Sequence, residues 1–341
     1  MGEFELLALL RKRLPVPGPQ VRLGSGDDAA ISVPGGAVAT SVDALVEGVH
    51  FRRETASLRQ IGRKALSTAL SDLAAMGAGP GEAYVVLGAP EEIDESALLE
   101  VGEGLAAVAR ETGATLAGGD LTRAPVLILA VTVTGHAPRP EDLVTRAGAR
   151  PGDALVVTGE LGGAAAGLLL LEDPRLPGTA AGLAGGAVDA ATLDALRRRQ
   201  LDPTPRLAAG RALAAAGATA MIDVSDGLGG DAGHLAAASG ALLAIDAGAL
   251  PIAPGLAAVA AAADRDPLEL AVAGGEDYEL LAALPPAAVE PARQALAATG
   301  TVLTVIGTVA AAKGAPRAEI RRSGGEAVAV DGFDQLRPPG A

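Results

Sequence analysis

The sequence predicts an α/β protein with two domains. Its 341 residues suit about two domains of roughly 150 residues each. Hydrophobic residues make up 49% of the chain, which is enough for substantial cores. Strand-like and helix-like apolar stretches alternate through both halves, and acidic residues beside glycine or serine end several of them. No fixed-period repeat accompanies this alternation, but the α/β pattern with acid–glycine turns in both halves suggests a shared scaffold.

Composition narrows the classes of partner. A formal net charge of −14 argues against nucleic-acid and anionic-membrane partners, because both require a basic surface. The chain has no cysteine, so disulfides and thiolate chemistry are excluded. No apolar run is long enough to span a bilayer, and Glu3 and Glu5 precede only a short apolar run, unlike a signal peptide. A soluble cytoplasmic protein is therefore expected.

The stretch Gly24–Ala30 organises the predicted site. Its adjacent carboxylates, Asp27 and Asp28, repel each other within a glycine-rich turn flanked by apolar residues. A bound cation would relieve this repulsion, whereas an ordinary acidic turn in solvent explains the stretch equally well. The partial dinucleotide-binding pattern formed by Gly24, Gly26 and Ala29 is rejected, because that motif requires a following helix and this segment is predicted to be extended.

Similar acidic stretches recur along the chain. They are Ser41–Asp43, Ser71-Asp72, Gly118–Asp120, Asp223–Gly227 and Gly274–Asp277. Their number predicts carboxylates gathered around divalent ions. Mg²⁺ binds one or two carboxylates together with waters and phosphate oxygens, so many acids imply several ions, a number that suits a nucleotide substrate. A lysine-containing phosphate loop is absent and lysine is scarce, so metal ions would have to neutralise bound phosphates.

The first elements lead to Asp43. A short helix is predicted over Phe4–Arg13, followed by a proline-rich linker, and a strand over Ala37–Leu45. His50 follows seven residues after Asp43. A single histidine is more often a structural hydrogen-bonding residue than a ligand, and both roles stay open for His50.

Asp72 gives the strongest single-residue argument for a metal site. The spacing predicts a helix over Ser57–Met76 that ends at Gly77. At 100° per residue, Asp72 lies within about 60° of the apolar stripe and in the last turn. The helix dipole and burial both disfavour an anion at that position, so a metal ion is expected to compensate.

The rest of the first half completes an α/β unit. We predict strands over Ala83–Leu87, Ala114–Ala117 and Val126–Thr134 and a helix over Glu95–Glu111. Asp120 follows two glycines, which either let a ligand approach the backbone or form a turn between strands.

A proline- and glycine-rich boundary is predicted near His136–Asp153. It divides the chain into a domain at residues 1–137, a linker at 138–153 and a domain at 154–335. Arg146 lies in this linker, where its guanidinium either clamps phosphate oxygens or forms an inter-domain ion pair.

The second half begins with a strand at Ala154–Val157, a turn over Thr158–Gly163 and a helix over Ala164–Leu171. That turn either binds a phosphate at the helix N-terminus or is an ordinary glycine-rich connection. A surface loop is predicted over Pro177–Ala187.

Two further acidic stretches lie in the second half. A strand over Ala218–Val224 carries Asp223, and Ser225 or Asp226 is predicted to cap a helix over Leu228–Ala238. The Gly274–Leu280 stretch leads into a strand that continues through Ala283.

These motifs resemble the thiamine monophosphate kinase family, in the superfamily that includes aminoimidazole ribotide synthetase and selenophosphate synthetase. The resemblance extends from Gly2 to about Phe333. It depends on the joint order of Gly26–Ala29, Val42–Phe51, Ser71–Ala78, Gly118–Asp120, Asp223–Leu228 and Gly274–Leu280. It implies a two-domain fold with an amino-terminal mixed-sheet domain that binds ATP and Mg²⁺ and dimerises, and a carboxy-terminal α/β domain.

The resemblance also implies the roles of individual residues. The predicted Mg²⁺ ligands, several of which support transfer, are Asp28, Ser41, Val42, Asp43, Asp72, Asp120, Asp223 and Asp226. Gly119, Asp120, Arg146 and Ser225 correspond to ATP contacts, and His50, Glu276 and Phe333 to contacts with thiamine monophosphate. Many relatives carry threonine at position 42, so Val42 offers only its main-chain carbonyl to an ion.

The implied activity is direct transfer of the γ-phosphoryl group of ATP to thiamine monophosphate, without a phosphoenzyme. Such transfer needs positioning and charge neutralisation rather than a protein nucleophile. The alternatives are another ATP-dependent enzyme of the superfamily or a nucleotide-binding regulator. A selenophosphate synthetase is disfavoured because its amino-terminal cysteine (or selenocysteine) and lysine pair is missing. A homodimer formed by the amino-terminal domains is also expected.

Overall fold

The computed structural model describes residues 9–24, 29–176, 178 and 188–328. The described chain forms two compact units. The first contains the described residues up to Ala74 and Ala78–Leu143, and the second contains Ala75–Gly77 and the described residues from Val144 onward. The division at Leu143 falls inside the interval 138–153 that the sequence assigns to a linker. Among the described residues, no helix has both the length and the apolar character needed to cross a membrane.

A mixed four-stranded sheet forms the centre of the first unit. Its strands are β3 (Ala37–Val46), β4 (Gly79–Ala89), β5 (Thr115–Arg123) and β6 (Ile128–Ala137), in the order β3-β6-β4-β5. Only β4 and β5 pair in parallel. Two short antiparallel strands, β1 (Val21–Leu23) and β2 (Ile31–Ser32), flank the Asp27-Asp28 stretch, which lies outside the described residues. The strand at β2 confirms that no helix begins after Ala29.

Helices cover one face of this sheet. They are α1 (Leu58–Ala75) and α2 (Glu95–Thr112). A Cβ atom at Gly135 of β6 would lie 3.0 Å from Leu73, so α1 packs against the face that carries the alternate buried residues of β6. The other face, which we call the open face, carries Val38, Val42 and Val86, with exposures of 43%, 67% and 43%.

The strands of the first unit extend beyond their predicted carboxyl-terminal ends. A turn is one of the two interpretations that the sequence leaves open for Gly118–Asp120, but these residues lie inside β5. Gly119 has φ of +157°, and a Cβ atom there would lie 2.1 Å from the carbonyl oxygen of Val85. Glycine is thus required for the close approach of β5 to β4, and this requirement explains why a turn-like sequence forms a strand.

A seven-stranded sheet forms the second unit. The strands are β7 (Ala154–Thr158), β8 (Ala220–Val224), β9 (Ala241–Asp246), β10 (Glu279–Leu284), β11 (Leu303–Ala311), β12 (Arg317–Arg321) and β13 (Ala327–Val328). They run in the order β13-β12-β9-β11-β7-β10-β8 and are antiparallel except for the β9–β12 pair.

Helices surround the seven-stranded sheet. They are α3 (Gly163–Glu172), α4 (Ala190–Leu201), α5 (Leu207–Ala215), α6 (Leu228–Ser239), α7 (Leu256–Ala262), α8 (Pro267–Ala273) and α9 (Val289–Ala297). Strands β7, β8 and β10 are buried along their whole lengths, as expected for strands covered on both faces. Leucine, isoleucine and valine side chains from these strands meet those of α6 and α7 in one continuous core.

Candidate functional site

In the first unit, a strand and a helix bring two predicted ligands together. Ser41 and Asp43 alternate with the exposed Val42 along β3, so their side chains lie on the face that α1 covers. The hydroxyl of Ser41 donates a hydrogen bond to Oδ2 of Asp72, which lies in the last turn of α1. Helix α1 confirms the helix predicted over Ser57–Met76 to within one residue at each end. Asp72 is half-buried in this helix.

Val42 and Asp120 point away from this pair. Val42 lies on the open face, so its side chain is directed away from the side chains of Ser41 and Asp43. The strand register pairs Asp120 with Val86, which places Asp120 on the open face as well, where it is exposed. The predicted ligands of the first unit thus lie on two different faces of the sheet, the face that α1 covers and the open face. Sequence spacing alone does not reveal this difference.

The oxygen donors near α1 suit a hard cation. Among the described residues, no group of three histidine or acidic side chains is arranged to hold an ion. Mg²⁺ normally requires only one or two carboxylates, with water and phosphate oxygens as its other ligands. The contact between the Asp72 carboxylate and the Ser41 hydroxyl, with Asp43 on the same face, therefore fits Mg²⁺. Predicted ligand Asp28 lies outside the described residues.

His50 has a defined ring orientation. Its Nδ1 atom accepts a hydrogen bond from the backbone N–H of Val46 at 3.0 Å, and Lys64 donates to the backbone oxygen of His50 at 3.3 Å. Because Nδ1 accepts, the neutral ring carries its proton on Nε2. His50 is thus oriented by the main chain and can donate from Nε2 to an acceptor such as a phosphate oxygen.

In the second unit, the Asp223–Gly227 stretch forms a turn between β8 and α6. Asp223 is buried at the end of β8. The backbone N–H groups of Ser225 and Asp226 both donate to Oδ2 of Asp231, at 3.0 and 3.1 Å. Burial, followed by the nearby charge of Asp223, raises the pKa of Asp231 to about 7.

The predicted cap of this helix is wrong. Gly227, at φ of +102°, occupies the N-cap position. A Cβ atom at this position would lie 2.9 Å from the backbone of Ala273, so only glycine fits there. Asp231, from within α6, instead accepts from the backbone N–H groups of Ser225 and Asp226 in the preceding turn. A sequence search for an acid four residues after a glycine N-cap would have found this residue.

The Gly274–Glu279 stretch packs beside the same turn. The backbone N–H of Glu276 donates to the oxygen of Ser225 at 2.8 Å, and that of Tyr278 donates to the oxygen of Val224 at 2.8 Å. Glu276 has φ of +68°, a conformation that costs energy for a residue with a side chain. These bonds hold Glu276 next to Ser225, so a predicted substrate contact and a predicted ATP contact are neighbours.

The other two acids of this stretch bind protein groups. The carboxylate of Asp277 accepts from the backbone N–H groups of Gly162 and Ala164, at 2.6 and 3.1 Å, at the start of α3. Asp277 thus occupies the helix N-terminus where the sequence left a phosphate site open. Glu279 is 1% exposed and accepts from Arg206 Nε at 2.8 Å and from Thr158 Oγ1 at 2.7 Å.

Arg146 lies at the surface in a loop fixed from one side. The hydroxyl of Ser239, the last residue of α6, donates to the backbone oxygen of Arg146 at 2.9 Å and accepts from the N–H groups of Gly148 and Ala149. No motif in the sequence points to Ser239. Phe333, a predicted substrate contact, lies outside the described residues.

Comparisons with known proteins identify the family. Residues 26–137 match the AIR synthase related protein, N-terminal domain, and residues 150–317 match its C-terminal domain. The thiamine-monophosphate kinase of Halobacterium salinarum is 39% identical over 91% of this chain and 94% of its own length.

Two solved structures agree with this relationship. The thiamine-monophosphate kinase from Stenotrophomonas maltophilia has a TM-score of 0.81 at 36% identity, with 96% of this chain and 98% of that chain covered. AaThiL complexed with AMPPCP and TMP has a TM-score of 0.75 at 28% identity, with 98% and 97% covered. The chain belongs to the thiamine-monophosphate kinase family of AIR synthase related proteins.

Proposed function

We propose that this protein transfers the γ-phosphoryl group of ATP to thiamine monophosphate and forms thiamine diphosphate and ADP. The observation that carries the proposal is the match along nearly the whole chain to AaThiL, whose structure contains AMPPCP and TMP. The chain itself belongs to this kinase family and has its fold. The proposed site residues that the structure describes lie on strands, a helix and turns whose polar groups support a role in binding phosphate and metal ions.

Several Mg²⁺ ions complete the proposed site. When bound, they neutralise the charge of the phosphate oxygens during transfer. Ser41 and Asp72 would hold an ion from β3 and α1, with Asp43 beside them. The further proposed ligands are Asp28, the carbonyl of Val42, Asp120, Asp223 and Asp226.

The chain's own residues position the nucleotide. The absence of a Cβ atom at Gly119 lets the backbone of β5 carry Asp120 at an exposed position. Asp231 fixes the amides of Ser225 and Asp226, so the Ser225 hydroxyl is presented from a rigid turn. The exposed side chain of Arg146 supplies a fork of donors that suits phosphate oxygens. The proposed ATP contacts are therefore Gly119, Asp120, Arg146 and Ser225.

The proposed thiamine contacts combine a donor, an anion and a ring. His50 presents Nε2–H, which suits a phosphate oxygen or a ring nitrogen. The carboxylate of Glu276 suits the cationic thiazolium, and the ring of Phe333 suits the aromatic pyrimidine. Transfer itself requires alignment of the acceptor phosphate with the γ-phosphoryl group, so these residues contribute by positioning.

The part of the open face formed by β3, β6 and β4 is the proposed dimer interface, which leaves Asp120 on the edge strand β5 uncovered. Val38, Val42 and Val86 expose apolar side chains on one side of a four-stranded sheet. A second copy of the chain would cover this surface, as the sequence resemblance also implies. Sedimentation should give a dimer at micromolar concentration, and Val86→Glu should shift it towards monomer. A fully active wild-type monomer would reject this assignment.

The activity is tested by measuring nucleotide release and product formation with several acceptors. We expect equal amounts of ADP and thiamine diphosphate with thiamine monophosphate, and no reaction with free thiamine. Turnover on aminoimidazole precursors, with none on thiamine monophosphate, would instead identify another enzyme of the superfamily. Nucleotide binding without turnover on any acceptor would favour a regulator.

A further inference from the structure

We infer that Gln200 is a positioning residue for the thiamine side of the reaction, because it orients the carboxylate of Glu276. This inference rests on the proposed function, in which Glu276 meets thiamine monophosphate. Gln200 lies near the end of α4, is 5% exposed and donates from Nε2 to Oε2 of Glu276. An ionised carboxylate only accepts hydrogen bonds, so the amide nitrogen is the group that can hold it.

Close helix packing delivers Gln200 to this position. A Cβ atom at Gly167 of α3 would lie 2.2 Å from the oxygen of Leu196 and 3.1 Å from the Cβ atom of Gln200. A Cβ atom at Gly163 would lie 2.3 Å from the side chain of Arg199. The two glycines therefore let α4 approach α3 closely enough to place a buried amide beside the Gly274–Glu279 stretch.

The main chain and side chain of Glu276 are fixed from different elements. The Ser225 oxygen holds its backbone N–H, and φ of +68° determines the direction in which its side chain leaves the turn. The Gln200 amide then fixes the end of that side chain. Orienting a long side chain before the substrate binds lowers the entropy cost of binding, so loss of Gln200 should weaken binding of the thiamine substrate.

The test compares kinetic constants for the two substrates in Gln200→Met, which removes the amide donor and keeps a similar shape. We expect the KM for thiamine monophosphate to rise about tenfold, as for loss of one hydrogen bond to a charged group. The KM for ATP should stay within about twofold of wild type, because the hydrogen bonds that hold Ser225 are kept. Equal rises in both KM values, or no rise for thiamine monophosphate, would overturn the inference.

A matched control and a double variant separate positioning from general structural damage. Gln294→Leu removes another Gln–Glu hydrogen bond, from Gln294 Nε2 to Glu290 at 3.2 Å on the exposed surface of α9, and should change neither KM. In a Glu276→Gln background, Gln200→Met should add no further rise in the KM for thiamine monophosphate. Additive effects would contradict action through Glu276.

Failure of this inference is distinguishable from failure of the proposed function. If wild-type protein and Gln294→Leu both form thiamine diphosphate while Gln200→Met matches them, only the role of Gln200 is rejected. If wild-type protein forms none, the proposed function itself fails. Far-ultraviolet circular dichroism establishes that each variant is folded, and Gln200→Glu, which replaces the donor with a second carboxylate, should raise the same KM if Gln200→Met does not fold.

Discussion

In the first unit, the described site acids Asp43, Asp72 and Asp120 are partly or fully exposed to solvent, whereas in the second unit Asp277 and Glu279 are held by hydrogen bonds from protein groups. Asp72 is half-buried and Asp120 is exposed. By contrast, Asp277 accepts two backbone hydrogen bonds, and Glu279 pairs with Arg206. Short acid–glycine stretches that look alike therefore serve two purposes, ligand binding and attachment of one element to another.

The difference follows from what each carboxylate meets at short range. A carboxylate that remains partly solvated keeps lone pairs available for an ion, and Mg²⁺ binds such oxygens together with water. A fully buried carboxylate must be compensated by donors or a cation of the protein, because its desolvation is otherwise too costly. Variants that remove one charge from each class should thus separate activity from stability.

The largest effect is expected for Asp72→Asn. Loss of a charged oxygen ligand should reduce turnover by at least about 100-fold, since an ion at a phosphoryl-transfer site contributes several kcal/mol. The fold should remain intact, and without Mg²⁺ it should be at least as stable as wild type, because the helix dipole and partial burial oppose the Asp72 charge. Turnover and thermal melts with and without Mg²⁺ measure both outcomes.

The control for that variant is Asp142→Asn, which removes a carboxylate paired with Arg139 outside the proposed site. It should leave turnover and Mg²⁺ dependence unchanged. Near-wild-type turnover of Asp72→Asn would contradict the role of Asp72 as a metal ligand. Activity would then no longer distinguish proposed ligand acids such as Asp72 from scaffold acids such as Glu279.

Glu279→Gln should lower stability rather than activity. It leaves the guanidinium of Arg206 without its carboxylate partner in a buried setting, which typically costs about 3 kcal/mol of the free energy of unfolding. Urea denaturation at neutral pH measures this loss. The exposed pair of Arg293 and Glu290 offers a matched control, since Glu290→Gln should cost less than about 1 kcal/mol.

Loss of activity without loss of stability in Glu279→Gln would contradict the scaffolding role of Glu279. If Glu279→Gln melts like wild type and loses turnover, the buried pair is part of the reaction site and not of the scaffold.

The smallest effect is expected in the pH dependence of stability. Burial raises the pKa of Asp277 to about 7 from 3.8, against the lowering effect of its two backbone hydrogen bonds. The folded chain therefore binds this proton more tightly than the unfolded chain, and the group destabilises the fold progressively as the pH rises from about 4 to about 7. Asp277→Asn should make the free energy of unfolding fall less steeply between pH 4 and pH 7. The change in slope should be at most about 1.4 kcal/mol per pH unit.

Asp189 provides a control of opposite sign. This exposed residue caps α4, and its hydrogen bonds with Thr192 lower its pKa. Its stabilising contribution is present above the ordinary pKa and is lost as the pH falls through the lowered value, so Asp189→Asn should reduce stability at neutral pH relative to acidic pH. An unchanged pH profile for Asp277→Asn in urea titrations would contradict the account of Asp277.

Local features of the sequence were enough to predict much of the fold. The apolar periodicity and Gly77 predicted α1 almost to its ends, because both signals act within a few residues. The Gly118–Asp120 stretch was harder to interpret, since only pairing with β4 shows why its glycines form a strand. The family and its activity were identified from the joint order of short motifs.

Long-range partners account for what sequence reasoning missed. Asp277 accepts from the backbone N–H of Gly162, which lies 115 residues earlier in the chain at the start of α3. Glu279 accepts from Arg206, which lies 73 residues earlier. Gln200 carries no motif of its own, yet its amide group binds the side chain of the predicted site residue Glu276 across 76 residues. Such contacts depend on the packing of distant elements and leave no short sequence signal.

The most direct test of the contrast is the Mg²⁺ dependence of thiamine diphosphate formation, measured side by side for wild type, Asp72→Asn and Glu279→Gln below the melting temperature of each. We expect the half-saturating Mg²⁺ concentration to rise for Asp72→Asn, in whatever turnover remains, and to stay at the wild-type value for Glu279→Gln. An unchanged value for Asp72→Asn together with a raised value for Glu279→Gln would contradict the assignment of ion binding to Asp72 and of a scaffolding role to Glu279.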